Sequence, residues 1–137
     1  MSQDSLGPEL FWLTLTVLMT ALMWVPYIIS RLFEQGFARA LWDPQGVTGT
    51  RVTWADRMMR AHQNAVENLV IFAPLVLMVH MTGMSNELTA LMCMVYFYAR
   101  LLHFLVFSFG TPVLRIPVFA VGVAAQLVLG LRLLGLV

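Results

Sequence analysis

Four long apolar runs alternate with short polar or turn-forming stretches along the chain. The predicted helices cover residues 8–34, 53–81, 87–109 and 113–136. A helix needs roughly 20 apolar residues to cross the hydrocarbon core of a bilayer. In the second helix only Leu69–Met81 is apolar, which is too short to cross alone, so part of its polar half, residues 56–68, must lie at membrane depth. The pattern therefore predicts an all-α fold, an integral membrane four-helix bundle, with residues 1–137 forming one transmembrane domain. Pro26 cannot donate a backbone hydrogen bond, so it predicts a kink near the end of the first helix.

Composition supports a membrane location and disfavours several other classes of protein. Hydrophobic residues make up 60% of the chain and charged residues 11%, whereas soluble domains have about 45–50% and 25%. The net charge of +1 does not suggest a nucleic-acid-binding protein, which needs a basic patch. The single cysteine, Cys93, cannot form a disulfide within the chain. His62 and His103 fall on different helices with no third candidate ligand, so we expect no metal site.

Arginine is the only basic residue type, and its distribution predicts the orientation of the chain. The first connection, residues 35–52, and the helix ends beside it carry Arg31, Arg39, Arg51, Arg57 and Arg60. Arg115 falls on the same side of the membrane, and only Arg132 falls on the other. Because an excess of basic residues marks the cytoplasmic side, we expect this connection to be cytoplasmic and both termini to lie opposite.

Polar residues inside the predicted helices recur at intervals of three, four and seven, which places them on common helix faces. Three stripes result, one for each of the last three helices. The second-helix stripe is Arg57, Arg60, Asn64 and Glu67; the third-helix stripe is Tyr96, Arg100, His103 and Phe107; the fourth-helix stripe is Arg115, Phe119, Gly122 and Gln126. His62 points away from these stripes, and we expect it to bond a neighbouring helix or chain.

Facing stripes would bring charged groups together inside the bundle. We expect Glu67 to pair with Arg100, because removing one partner of a buried ion pair costs about 3–5 kcal/mol. The remaining arginines, open to the cytoplasmic half, predict a site for an anionic solute with several carboxylates. The alternative is that the polar groups only hold helices together, at about 0.6 kcal/mol per contact. So many charges of one sign favour the site, with His103 as a hydrogen-bond donor in its wall.

The segment from Arg57 to Asn68, RMMRAHQNAVEN, resembles the signature of the MAPEG family, the membrane-associated proteins in eicosanoid and glutathione metabolism. That signature reads approximately R-x-x-R-A-x-x-N-x-x-E. Chain length, helix number and turn positions are also similar over nearly the whole chain. The chain looks like a short bacterial member, for which we expect the bacterial inner membrane as the location.

The resemblance implies a homotrimer that binds glutathione, as a co-substrate, between neighbouring protomers near the cytoplasmic face. Asn64 and Glu67 would contact the peptide, and Arg31 would reach one of its carboxylates. Arg60 and Arg100 would support the site or balance its charge, and Arg57 belongs to the same arginine-rich set. Arg115 resembles the arginine that activates the thiol, since a guanidinium stabilises the nucleophilic thiolate.

These features imply a glutathione-dependent membrane enzyme of the microsomal transferase or peroxidase type. It would conjugate the thiolate to lipophilic electrophiles, reduce lipid hydroperoxides, or both, and the second substrate would arrive from the lipid. Phe107 and Phe119 depart from the pattern of the eukaryotic enzymes of the family, which carry tyrosines at the corresponding positions. A non-catalytic scaffold that binds glutathione or lipid is therefore the alternative. A small multidrug transporter is less favoured, because those exporters lack this arginine density.

Overall fold

All four apolar runs form long helices in a computed structural model of the chain, which describes residues 5–46 and 49–137. The helices are α1 (Pro8–Leu22), α2 (Trp24–Gln35), α3 (Phe37–Leu41), α4 (Thr53–Met81), α5 (Glu87–Ser108) and α6 (Pro112–Leu133). By length and composition, four stretches are able to span a membrane: α1 with α2, α4, α5 and α6. The prediction of an all-α fold with four spans is confirmed.

The first span is divided into two helices at Met23. Pro26 has no N–H to donate to the carbonyl of Leu22, four residues earlier, so the regular helical ladder is interrupted at that point. Three residues before Pro26, the Met23 N–H bonds the Thr20 carbonyl at 3.4 Å. The kink predicted at Pro26 therefore takes the form of a break between α1 and α2.

The central pair of the bundle is α4 and α5. Helix α5 packs against α1, α4 and α6, while α4 packs against α1, α2, α5 and α6. Within the described ranges α1 and α6 do not contact each other, so they flank the central pair. The core between the helices includes Phe72 stacked on Tyr96, with ring centroids 3.7 Å apart. This arrangement leaves the polar residues of α4, α5 and α6 at a common junction.

The end of the bundle near the chain termini contains a buried carboxyl group that was not predicted from the sequence. Glu9, only 3% exposed, accepts a hydrogen bond of 2.6 Å from the Thr89 hydroxyl. Thr89 also completes a capping box with Asn86 at the start of α5. A carboxylate is favourable beside a helix N-terminus, where unpaired N–H groups carry partial positive charge. Glu9 therefore links α1 to α5 at the end of the bundle opposite most of the arginines.

Candidate functional site

Arg100 lies at the junction of α4, α5 and α6, with only 3% of its surface exposed. Its Nη2 donates a 2.6 Å hydrogen bond to Oδ1 of Asn64 on α4. Its guanidinium carbon lies 5.9 Å from the centroid of the Phe119 ring on α6. Its Nε has no hydrogen-bond partner. The buried guanidinium is thus held by one amide and one aromatic face, and its Nε–H remains without an acceptor.

The predicted ion pair between Glu67 and Arg100 is wrong. Glu67 is exposed and accepts a 3.3 Å hydrogen bond from Gln63 on the same helix. The inward face of α4 is set by small buried residues such as Ala61, which is 0% exposed. Glu67 comes six residues after Ala61, about 600° of helical rotation, which places it about 120° away from that face. The second-helix stripe is therefore split, with Asn64 at its inner edge and Glu67 at its outer edge.

Arg60 lies on the same outer edge of α4 as Glu67. Its Nε is 3.1 Å from Oδ2 of Asp56, one helical turn earlier, and both side chains are well exposed. By contrast, Arg100 donates to the Asn64 amide and Arg57 to the Ser108 carbonyl, so both hydrogen bonds go to uncharged acceptors.

His103 is the next residue of the third-helix stripe, one turn from Arg100 and 3% exposed. Its ring centroid is 5.7 Å from that of Phe107 and 5.9 Å from that of Phe119. Its Nδ1 is buried and makes no hydrogen bond. Deeper in the bundle, the Tyr96 hydroxyl lies near Gln126 without a hydrogen bond of regular geometry. The stripe thus presents several polar atoms with unused bonding capacity.

A cleft opens beside this stripe at the end of the bundle that carries most of the arginines. It has a volume of about 220 Å³ and is lined by Arg57, Phe107, Gly110, Thr111, Pro112 and Arg115. We call it the arginine cleft. Its lining combines two guanidinium groups with one aromatic ring, and this combination suits an anion that also carries apolar atoms.

Local structure fixes the two arginines of the arginine cleft. The Nε of Arg57 donates to the Ser108 carbonyl at the end of α5, at 3.0 Å. The guanidinium of Arg115 lies over the Phe107 ring, 5.0 Å from its centroid. Gly110 adopts a positive φ of 72° in the turn between α5 and α6. A Cβ there would approach the Arg57 guanidinium carbon to 3.1 Å, so glycine leaves room for that side chain.

A second polar cavity, of about 540 Å³, lies on the α2 side of α4. Its lining includes Tyr27, Asp56, Arg60, His62 and Gln63. The Tyr27 hydroxyl and His62 Nδ1 are 2.7 Å apart, which confirms that His62 bonds a neighbouring helix. Tyr27 was not among the residues predicted from the sequence, although a tyrosine within an apolar span needs a partner for its hydroxyl.

Arg31 lies apart from the arginine cleft within one copy of the chain. It is near the end of α2, where its Nη1 donates to the Gly49 carbonyl. Glu34 ties the same region together by accepting from the Arg51 N–H at 2.8 Å and from the Thr50 hydroxyl. Helix α2 contacts α4 but not α5 or α6. One copy therefore does not bring Arg31 to Arg115.

Comparison with known proteins gives one match, to the model of the MAPEG family, over residues 10–135. The chain belongs to the MAPEG family. Neither the curated proteins nor the solved structures gave a significant match. The MAPEG family includes glutathione-dependent transferases and related membrane proteins, and its members are often trimers. Membership and the four apolar spans together make this chain an integral membrane protein.

The structure places the MAPEG signature of this chain along one edge of α4. Arg57 reaches the arginine cleft, Asn64 holds Arg100, and both are partly buried. Arg60 and Glu67 face outward on the other side of the same edge. The residues of the signature therefore lie on two surfaces, one inside a single copy of the chain and one on its exterior.

Proposed function

We propose that this MAPEG member is a glutathione-dependent membrane enzyme. It would add the glutathione thiolate to lipophilic electrophiles, reduce lipid hydroperoxides, or both. The observation that carries the proposal is the buried Arg100, which has an unused donor and no carboxylate partner among the described residues. An uncompensated cation at membrane depth is costly, and an anionic ligand would remove that cost.

The chemistry of the site fits a peptide with two carboxylates, one ammonium group and one thiol. Arg57 and Arg115 of the arginine cleft offer charge-assisted hydrogen bonds to carboxylates or a thiolate. Glu67, on the outer edge of α4, offers a carboxylate to the ammonium group. The unpartnered Nε of Arg100 adds one more buried donor. These groups are the ones that glutathione requires.

The outward direction of Glu67 supports a site shared between copies of the chain. Charged groups at membrane depth face protein or trapped water rather than lipid, so another copy should cover this edge of α4. MAPEG members are often trimers, and we propose a homotrimer with glutathione between neighbouring protomers. Arg31, which does not reach the arginine cleft of its own copy, would contact the peptide held by its neighbour.

Arg115 is the residue that we propose to activate the thiol. Its guanidinium is always charged and lies beside the apolar Phe107 ring. A fixed positive charge stabilises the thiolate, which is the nucleophile, and lowers the pKa of the thiol. Conjugation and hydroperoxide reduction both begin from the same thiolate, so one arrangement of charges serves either reaction.

The lipophilic second substrate would reach the thiolate from the bilayer along α6. A groove of about 880 Å³ between α4 and α6 is lined by apolar side chains apart from Gln126. Its walls include Ile71, Leu75, Leu127 and Leu131. Such a wall accepts many apolar shapes, which suits an enzyme that takes electrophiles from the lipid phase.

The direct test measures the ultraviolet absorbance of bound thiolate together with turnover on a panel of electrophiles and lipid hydroperoxides. Purified protein in lipid should show glutathione-dependent turnover and a thiolate signal. Arg115→Ala should lose most of both, whereas Arg39→Ala, which removes an exposed arginine from α3, should retain them. If glutathione binds but no substrate of the panel is turned over, the proposal of an enzyme is contradicted.

A non-catalytic scaffold that binds glutathione or lipid is the second candidate. Phe107 and Phe119 favour it, because the rings that flank His103 provide no hydroxyl to a bound thiol. The scaffold hypothesis predicts that Arg115→Ala leaves ligand binding and the cellular phenotype nearly unchanged. A large loss in either measurement would exclude it.

A further inference from the structure

The six residues that line the arginine cleft include one with a hydroxyl group, Thr111. Arg57 and Arg115 supply the charges of this lining, and Phe107 and Pro112 supply apolar surface. The roles proposed above give the Thr111 hydroxyl no task. Because the cleft has a volume of only about 220 Å³, a group bound between the arginines also lies close to Thr111.

The backbone around Thr111 is fixed by its neighbours in the turn between α5 and α6. The Thr111 N–H bonds the Val106 carbonyl near the end of α5, at 3.1 Å. Pro112, at the start of α6, restricts the backbone of the residue before it to extended conformations. The Thr111 side chain can therefore change its direction only by rotation about its Cα–Cβ bond.

The Thr111 hydroxyl is not committed to the helix that it precedes. A threonine at the N-cap usually accepts a hydrogen bond from an N–H in the first turn of its helix, but the Thr111 side chain makes no such bond. Ser108, three residues earlier, differs, because it is 4% exposed and its hydroxyl donates to the Phe104 carbonyl at 2.7 Å. Thr111 is exposed and lines the cleft, so its hydroxyl can turn toward a ligand.

We propose that the Thr111 hydroxyl donates a hydrogen bond to the thiolate of the bound peptide and is a catalytic residue beside Arg115. This inference rests on the proposed function, which places the thiolate against Arg115 in the same cleft. A hydrogen bond to the ionised form of a group favours that form over the neutral one. Thr111 forms no covalent bond and gives up no proton, so it acts by stabilising the nucleophile.

The dimensions and walls of the arginine cleft suit the thiol end of the peptide. Pockets that hold a whole ligand usually measure about 300–1,000 Å³, so a cleft of about 220 Å³ takes only part of a tripeptide. The Phe107 ring offers the aromatic contact that sulfur favours. The ring itself has no hydroxyl to offer a thiolate, and Thr111 supplies one from the adjoining turn.

The experiment follows the ultraviolet absorbance of bound thiolate as the pH is varied, with protein in lipid and saturating glutathione. Thr111→Val keeps the shape of the side chain and removes the hydroxyl. We expect it to raise the midpoint by about one pH unit, since hydrogen bonds to charged groups are worth tenfold or more. Turnover near neutral pH should fall by up to about tenfold, because less thiolate is present.

Two further variants separate the hydroxyl from shape and from stability. Thr111→Ser keeps a hydroxyl and should have nearly the midpoint of wild type. Thr53→Val makes the same change at an exposed threonine that begins α4 outside the cleft, and it should match wild type. Because Thr111 makes no side-chain cap to α6, Thr111→Val should also keep the Tm of wild type.

Calorimetry with S-methylglutathione shows which part of the peptide Thr111 contacts. This analogue keeps both carboxylates and the ammonium group but has no thiol to ionise. Thr111→Val should bind it as tightly as wild type, and should bind glutathione more weakly at a pH where wild type holds the thiolate. Equal weakening with both peptides would assign Thr111 to another part of the ligand and overturn its catalytic role.

The outcomes distinguish this inference from the proposed function. An unchanged midpoint and normal turnover in Thr111→Val would overturn the role of Thr111 and leave the enzyme in place. A midpoint raised equally in Thr111→Ser would show that the hydroxyl is not the cause, and would overturn the role as well. Wild-type protein that binds no glutathione would overturn both the inference and the function.

Discussion

At the scale of residues, the Arg100–Asn64 hydrogen bond is the contact on which the interior of the site depends. It joins a cation that is 3% exposed to an amide on another helix, at 2.6 Å. A buried charged donor that loses its acceptor is left unsatisfied, which costs more than the hydrogen bond itself contributes. The exposed Arg60–Asp56 pair, by contrast, competes with water and contributes little.

Asn64→Ala should therefore reduce the free energy of unfolding by about 1–3 kcal/mol, measured by denaturant titration in mixed micelles. Arg60→Ala is the comparison and should change it by less than about 1 kcal/mol. The double variant Asn64→Leu with Arg100→Met should recover most of the loss, because replacing both partners by apolar groups can be nearly neutral. An Asn64→Ala protein as stable as wild type would show that Arg100 does not rely on this contact.

At the scale of elements, the turn between α5 and α6 positions the arginine cleft. Gly110 has a φ of 72°, and its missing side chain leaves space for the Arg57 guanidinium. The turn between α4 and α5 contains Gly83 with a φ of 68° and open space around it. The two glycines share a backbone conformation but differ in what lies beside them.

Gly110→Ala and Gly83→Ala should each cost about 1–2 kcal/mol of stability, because an L residue is strained in this conformation. Only Gly110→Ala should also weaken glutathione binding, since its Cβ displaces Arg57 from the cleft. Thermal unfolding and binding calorimetry on the two variants test this difference. Equal affinity in both variants would show that the position of Arg57 does not matter for the ligand.

At the scale of the whole molecule, the outward direction of Glu67 and Arg60 indicates that one copy is incomplete. The protein should form trimers in mild detergent, as native mass spectrometry can show. Glu67→Gln should keep the trimer, because an amide still finds hydrogen-bond partners at a protein interface. A monomeric wild-type protein would contradict a site shared between copies.

The orientation of the chain is tested by labelling introduced cysteines. Cys93 is completely buried, so the native chain should give little background with a membrane-impermeant maleimide. Arg39→Cys should react only from the cytoplasmic side and Gly135→Cys only from the opposite side. The reverse pattern would invert the predicted topology.

The four spans and the buried stripe of α5 could be predicted from the sequence, because hydropathy and helical periodicity are local properties. Tyr96, Arg100 and His103 are all buried at the expected junction. The outward direction of Glu67 could not be predicted from the sequence, because it depends on Ala61 and its small neighbours forming the inward face of α4. The hydrogen bond between Tyr27 and His62 could not be predicted either, since it depends on how α2 packs against α4 after the break at Met23.

The central claim is that the arginine cleft and the outer edge of α4 hold an anionic thiol peptide. The most direct measurement is titration calorimetry of glutathione against the trimer in lipid, for wild type, Arg115→Ala, Glu67→Gln and the control Arg39→Ala. Lost charge-assisted hydrogen bonds are worth about 1.5–3 kcal/mol, so the first two variants should bind roughly 10–100-fold more weakly, and the control should match wild type. No wild-type binding up to about 1 mM, the upper end of usual Michaelis constants, or equal binding by all four proteins, would contradict the claim.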